Sequence, residues 1–87
     1  MKKQSQKKNA QQFFSSHDIG LVAFLLSKKF ELIDLDKTLK SKVLFILKRD
    51  DDIDNAIKNY WNFKSSVDAQ TYFNQLKRLK NQIFSSN

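Results

Sequence analysis

Apolar residues recur at helical spacing in three separate segments of the chain. The segments cover residues 15–29, 53–62 and 65–84, and each places an apolar residue at every third or fourth position. This spacing predicts three amphipathic helices. The first segment also carries apolar residues beside its stripe, and we therefore expect its helix to be covered on more than one side.

Polar residues that cap helices lie at or just before the start of each of these segments. Ser15 or Ser16 is the predicted N-cap of the first helix, because its hydroxyl can accept from a free backbone N–H. One of the aspartates at residues 50–52 is predicted to cap the second helix. Ser65 and Asp68 have the spacing of a capping box and are predicted to start the third.

Two extended segments lie between the first and second helices. Residues 30–36 alternate loosely, and residues 42–48 are rich in aliphatic and aromatic side chains over a typical strand length. The connection lacks an Asn-Gly or Asp-Gly pair, so we expect an antiparallel hairpin closed by a loop. The prediction is a small α+β domain over residues 13–87, with the order α-β-β-α-α and the hairpin packed with three helices.

Both faces of the second predicted strand are partly apolar, which leaves two alternatives open. Either helices cover both faces, or a second copy of the chain completes the sheet and the protein is a homodimer. A chain of 87 residues buries a modest fraction of its surface, and a dimer would add to that burial.

The N-terminal segment differs from the rest in composition. Residues 1–12 are polar, and they carry Lys2, Lys3, Lys7 and Lys8 without any acid. Such a segment has too little apolar surface to offset the entropy of ordering, so a disordered basic arm is predicted. Two roles of this arm are predicted as alternatives: it increases the solubility of the protein, or it binds phosphate groups.

The charge balance of the chain is strongly basic. Sixteen lysines and arginines stand against nine acids, for a net charge of +7, and fourteen of the sixteen are lysines. The chain has no cysteine and no proline, and its single glycine cannot form a P-loop or a dinucleotide-binding fingerprint. With one histidine and no cysteine, the usual catalytic sets are missing, and we expect no enzyme.

The only cluster of acids does not match a metal site. An EF-hand loop that began at Asp50 would need glycine and glutamate at its sixth and twelfth positions, where the chain has Asn55 and Trp61. Acids at a helix start also cap the helix and meet the positive end of its dipole. We therefore expect neither a metal nor a cofactor.

No segment predicts export or membrane insertion. The longest apolar run, residues 21–26, has six residues, whereas a membrane-spanning helix needs about 20. Met1, Lys2 and Lys3 are not followed by the apolar region of a signal peptide. A cytoplasmic protein without membrane contact is expected.

Several core segments together are similar to a known family. They are residues 18–26 followed by Phe30, residues 43–47, residues 60–62, residues 67–69 with Phe73, and Leu79-Lys80 with Phe84. From Asp18 to Phe84 the chain resembles a small domain family of unknown function found in bacteria and phages. The resemblance implies a shared fold and supplies no functional residues. The family tends to have glycine where this chain has Lys29, a position suited to a left-handed helix exit.

The first functional hypothesis is binding of DNA or RNA through phosphates. The excess of lysine over arginine favours non-specific phosphate contact, because bidentate base recognition prefers arginine. The predicted contact residues are Lys2, Lys3, Lys7, Lys8, Lys40, Lys42, Lys77, Arg78 and Lys80.

The alternative hypothesis is a protein-interaction module, such as a subunit, adaptor or inhibitor of a larger assembly. It rests on the two-sided apolar strand and on a pair of phenylalanines before the first helix. Its predicted interface residues are Phe13, Phe14, Leu44 and Ile46. The later aromatic residues, at 60, 61, 63, 72 and 73, are predicted to lie mainly in the core because of their helical spacing. The predicted buried face of the third helix consists of Ala69, Tyr72, Phe73, Leu76, Leu79, Ile83 and Phe84.

Overall fold

The structure is a computed structural model that describes residues 12–39 and 41–84. Its elements in chain order are β1 (Phe13–Ser16), α1 (Ile19–Ser27), β2 (Leu32–Asp36), β3 (Leu44–Lys48), α2 (Ile53–Trp61) and α3 (Ala69–Phe84). The α+β class is confirmed, and so is the predicted order from the first helix onward. The structure adds β1, which the sequence pattern did not predict.

The three strands form one antiparallel sheet with β3 in the centre, in the order β1-β3-β2. Phe14 of β1 and Leu32 of β2 both lie opposite Leu47 of β3, and the register of β2 shifts between Leu32 and Asp34. The predicted hairpin of β2 and β3 is present, but the sheet contains a third strand that the prediction lacked. The edge of β3 that β2 leaves open pairs with the chain's own first strand. The homodimer stays a prediction.

Strand β1 has a weak sequence signal because it is only four residues long. Phe14 is half-buried and packs against the core, whereas Phe13 and Ser15 are exposed. This alternation is the period of a strand with one covered face. The segment was predicted to lie at a helix start, and only its pairing with β3 shows that it is extended.

Helix α1 is the central element of the fold. Residues 21–26 are six consecutive buried positions, and α1 contacts β1, α2 and α3. The expectation that this helix is covered on several sides is confirmed. The buried core is completed by side chains from the other elements, namely Phe45, Leu47, Ile53 and Leu79.

Two helix starts differ from the prediction. The N-cap of α1 is Asp18, whose Oδ1 accepts from the backbone N–H of Leu21 at 3.1 Å. Ser15 and Ser16 lie in β1 instead, because extending the chain there lets Phe14 reach the core. Before α3, the carboxylate of Asp68 accepts from the backbone N–H of Thr71 at 2.9 Å, so Asp68 takes the place predicted for Ser65.

The start of α2 uses its aspartates in another way. Asp52 is at the N-cap position, as one alternative of the prediction had it, but its side chain makes no capping hydrogen bond. Asp50 Oδ1 instead accepts from the backbone N–H of Asp52 at 2.9 Å, which shapes the preceding turn. Asp54 in the first turn pairs with Arg49.

Helices α1 and α2 are both followed, two positions after their last residue, by a left-handed residue that is not glycine. Lys29 has a φ of 79°, and the backbone N–H of Phe30 reaches back to the carbonyl of Leu25 at 3.0 Å. Phe63 has a φ of 58°, and Lys64 reaches Asn59 in the same way at 2.9 Å. Both ends have the hydrogen bonding of a Schellman motif, in which glycine is the favoured left-handed residue.

Candidate nucleic-acid interface

Helix α3 carries the densest run of cations in the described part of the chain. Lys77, Arg78 and Lys80 lie on it, and its sixteen residues contain no acid. Arg78 donates to the neutral amide oxygen of Gln75 at 3.2 Å, and none of the three cations is ion-paired with a described carboxylate. Their charges are therefore available to an external anion.

Two of these cations lie between exposed aromatic side chains on one face of the helix. Phe73, Lys77, Lys80 and Phe84 follow one another at i, i+4, i+7 and i+11, so they form a single stripe along the helix. We call these four residues the α3 stripe. Lys77 Nζ lies 5.3 Å from the ring centroid of Phe73, within cation–π range.

The exposure of the α3 stripe corrects the prediction of a wider buried face. Phe73 is 55% exposed and Phe84 is 81% exposed, although both were predicted to be buried. The helix packs instead through a narrower face, centred on Tyr72, Leu79 and Ile83. Among the helices and strands, α1 makes the main contact with that face, and the aromatic residues at the margin of the contact stay exposed to solvent.

The loop between β2 and β3 lies beside the last turn of α3. Lys37 Nζ donates to the carbonyl oxygen of Gln82 at 2.6 Å, and Lys37 and Val43 line a shallow cavity with Phe84. Lys42, which precedes Val43, is exposed. The fold therefore brings one predicted contact residue of this loop near the C-terminal end of α3, while Lys40 lies outside the described residues.

The four predicted contacts of the N-terminal arm, Lys2, Lys3, Lys7 and Lys8, also lie outside the described residues. The described chain begins at Gln12, whose carbonyl accepts from the backbone N–H of Arg49 at 2.9 Å. The segment before β1 therefore joins the fold at the end of β3 that is remote from Lys42.

An aromatic cavity lies near the first turn of α3. It has a volume of about 380 Å³. Its lining residues are Phe24, Tyr60, Trp61, Phe63, Ser65, Ser66, Val67 and Tyr72. The ring centroids of Phe24 and Tyr60 are 5.0 Å apart, and those of Tyr60 and Trp61 are 4.9 Å apart, so the rings support one another.

Among the later aromatic residues, those that line this cavity are at most partly buried, in contrast to the prediction that they lie mainly in the core. Tyr60 and Tyr72 are half-buried and pack against the core as expected. Trp61 and Phe63 are 55% and 93% exposed, although helical spacing placed them in the core. α2 ends at Trp61, and Phe63 lies in the left-handed turn that follows the helix.

Polar groups complete the cavity. Lys28 Nζ donates to the carbonyl oxygen of Ser66 at 2.9 Å and lies 5.8 Å from the ring centroid of Phe24. Burial, followed by the neighbouring Tyr72 and Asp18, raises the pKa of the Tyr60 phenol above its ordinary value. The phenol is thus uncharged at neutral pH, and the cation at the rim meets no tyrosinate.

The residues predicted for a protein interface are all on the sheet. Phe13 is 53% exposed, whereas Phe14 faces the core with the Arg49 guanidinium 5.9 Å from its ring centroid. Leu44 and Ile46 are half-buried and alternate along β3 with the fully buried positions. The structure therefore leaves Phe13 as the more accessible member of the phenylalanine pair.

His17, the single histidine, is exposed, and its Nδ1 lies 3.1 Å from the carbonyl oxygen of Val43. Within residues 12–39 and 41–84, three or more side chains of histidine, cysteine, aspartate or glutamate do not come together in a group that could hold a metal ion. No helix in those ranges is both long and apolar enough to cross a membrane.

Comparison with known proteins identifies a family and nothing more specific. The model of a family described as "Domain of unknown function (DUF5659)" matches residues 3–85. Searches among curated proteins and among solved structures found no match.

Proposed function

The chain belongs to this DUF5659 family of unknown function, and we propose that it binds nucleic acid through phosphate contacts with little dependence on base sequence. The observation that carries the proposal is the α3 stripe together with Arg78. Three cations that pair with no carboxylate of the described residues lie on one helix that has no acid. Lysine and arginine in this arrangement neutralise phosphates and release condensed counterions.

The composition of the basic surface supports weak base selectivity. Lys77 and Lys80 are point charges on flexible stems, whereas base edges are read by groups with fixed geometry such as guanidinium. Arg78 is the exception, and its guanidinium is engaged with Gln75 in the free protein. Contacts of this kind position the sugar-phosphate backbone of a nucleic acid without reading its base sequence.

Further contacts extend the proposed surface beyond α3. Lys42 belongs to the loop next to the last turn of α3, and Lys40 precedes it by two residues in the sequence. The lysines at residues 2, 3, 7 and 8 add a second basic segment that joins the fold beside Arg49. We propose that the two regions contact different stretches of one nucleic acid.

We propose that the protein is a cytoplasmic accessory protein of a bacterium or phage, that it is not an enzyme and that it uses no cofactor. Its role would be to hold nucleic acid for a larger process. The absence of cysteine and the single histidine support this reading, because nucleophilic and metal-dependent catalysis draw on those residue types.

The test is binding of a fluorescently labelled oligonucleotide, followed by anisotropy at 50 and 200 mM salt. With only the three cations of α3 in contact, affinity is expected to fall about 15- to 40-fold over this range, and more if other lysines take part. Binding that does not change with salt, or no binding at 50 mM, would contradict the proposal.

A second candidate function is docking of another protein on the sheet. Phe13 and Ile33 are both exposed, and they line one cavity with Lys48 and Arg49, where β1 and β2 present edge strands. We propose this surface as the alternative, with Leu44 and Ile46 beside it. In light scattering, Ile46→Lys should abolish association of the chain with a protein partner or a second copy and leave the fold intact. A wild-type chain that stays monomeric and captures no partner would contradict this alternative.

A further inference from the structure

The feature that goes beyond phosphate binding is the aromatic cavity. We infer that it takes an unpaired base of a single-stranded nucleic acid, which stacks on Trp61 and Phe63 while its phosphates meet the lysines nearby. The inference rests on the proposed function and names its substrate class. A base has an exposed ring face in a single strand, and protein aromatic rings bind such faces with little regard to sequence.

The backbone at Phe63 is the first observation behind this inference. Its φ of 58° is a conformation that is unfavourable for a bulky side chain, and its ring is 93% exposed. The ring therefore gains almost no burial in return for the strain. A strained residue that contributes little to the core is typical of a ligand-contacting position.

The second observation is the size and the lining of the cavity. Its volume of about 380 Å³ lies within the range of small-molecule sites. Its inner wall is fixed, because Phe24 is buried and holds Tyr60 in ring contact. The outer wall is Trp61 and Phe63, so a flat ring has a rigid floor and an open entrance.

The third observation is the charge at the entrance, which selects the occupant. Lys28 is held at the rim by its hydrogen bond to Ser66, and Lys64 directly follows Phe63. An apolar cavity with cations at its edge and a chain of net charge +7 complements a base attached to phosphates. Paired bases inside a duplex lack this match, because both of their ring faces are already stacked on neighbouring base pairs.

Trp61 is the only tryptophan in the chain, and its fluorescence therefore reports on the cavity alone. The full-length protein is titrated with a twelve-nucleotide oligothymidylate and, separately, with a DNA duplex of equal phosphate number. Tryptophan emission and the anisotropy of the labelled DNA are recorded together. We expect quenching by the single strand, little quenching by the duplex, and tighter binding of the single strand.

The deciding variant is Phe63→Gly. It relieves the left-handed strain and is expected to raise the urea midpoint, so loss of binding cannot come from loss of folding. Affinity for the single strand should fall roughly 5- to 150-fold, with duplex affinity unchanged. Leu39→Gly, which removes another exposed apolar side chain in the loop between β2 and β3, is the control and should leave single-strand affinity unchanged.

The outcomes separate this inference from the proposed function. Salt-dependent binding without Trp61 quenching, and without an effect of Phe63→Gly, overturns the cavity's role and leaves phosphate binding supported. No binding of either DNA overturns both. Self-association that Phe63→Gly abolishes, with no quenching by DNA, assigns the cavity to protein contact and overturns the inference.

Discussion

The hydroxyl of Tyr72 donates a hydrogen bond of 3.3 Å to the backbone carbonyl of Gly20, and so joins the first turn of α3 to the first turn of α1. Fifty-two positions separate the two residues in the chain. The contact is close because position 20 has no side chain: a Cβ there would lie 3.3 Å from the Tyr60 hydroxyl and 3.4 Å from that of Tyr72. This junction forms the inner side of the aromatic cavity.

Removal of the Tyr72 hydroxyl is expected to weaken this junction. Tyr72→Phe should lower the free energy of unfolding by about 0.5–1.5 kcal/mol, the usual net value of one hydrogen bond. Urea denaturation followed by Trp61 fluorescence measures the change. Tyr60→Phe is the control, because the Tyr60 hydroxyl has no hydrogen-bond partner among the described residues, and it should cost much less. Equal effects of the two variants would contradict the role of the bond.

Lys29 is expected to destabilise the free protein through its backbone. Lys29→Gly should raise the free energy of unfolding by up to about 1 kcal/mol, because glycine adopts a left-handed conformation without a steric penalty but loses more entropy on folding. Lys29→Ala keeps the Cβ and should leave stability nearly unchanged. If alanine stabilises as much as glycine, the effect comes from removal of the charge and the backbone explanation is wrong.

The N-cap of α1 can be tested by comparing two polar residues. Asp18→Ala should cost about 0.5–2 kcal/mol, since the Leu21 backbone N–H loses its acceptor. Ser15→Ala should have little effect, because Ser15 is an exposed residue of β1. The two variants are compared by thermal unfolding, and a larger loss for Ser15→Ala would favour the cap that the sequence predicted.

Asp68 makes stability depend on pH in the acid range. Its hydrogen bonds from the Thr71 backbone and hydroxyl lower the pKa of the carboxyl below the ordinary value of 3.8. A depressed pKa means that the carboxylate stabilises the fold above pH 3.8 and that this contribution is lost as the pH falls through the folded value. Asp68→Ala should therefore be less stable than wild type at pH 6, and the difference should shrink below pH 3.8. A constant difference in urea midpoint would exclude the carboxylate's charge as the cause.

The cations of α3 are predicted to set the salt dependence of nucleic-acid binding. The triple variant Lys77→Gln, Arg78→Gln and Lys80→Gln should reduce the slope of log affinity against log salt by about 2 to 3. Lys29→Gln, Lys48→Gln and Lys58→Gln together change the net charge equally on other elements, and this control should reduce the slope less. Equal reductions would show that net charge, and not α3, governs binding.

Local sequence patterns determined most of the secondary structure. The three helices, β2 and β3 follow from the spacing of apolar residues, and the six buried positions of α1 follow from their unbroken apolar run. These features depend on neighbours within one or two turns, which the sequence displays directly. The charge of the α3 stripe is visible in the same way, because its cations lie on a single helix.

Only the tertiary structure decided which apolar residues are covered and what completes the sheet. Phe14 belongs to a strand because Leu47, far away in the chain, lies opposite it, and Ser15 and Ser16 are thereby removed from the start of α1. Phe73 and Phe84 are exposed because α1 packs on a face of α3 narrower than its apolar pattern. Helical spacing shows which residues of a helix share one face. How much of that face is covered depends on the size and direction of the element packed against it, and these are properties of the assembled fold. For the same reason Trp61 and Phe63 lie at the rim of the cavity.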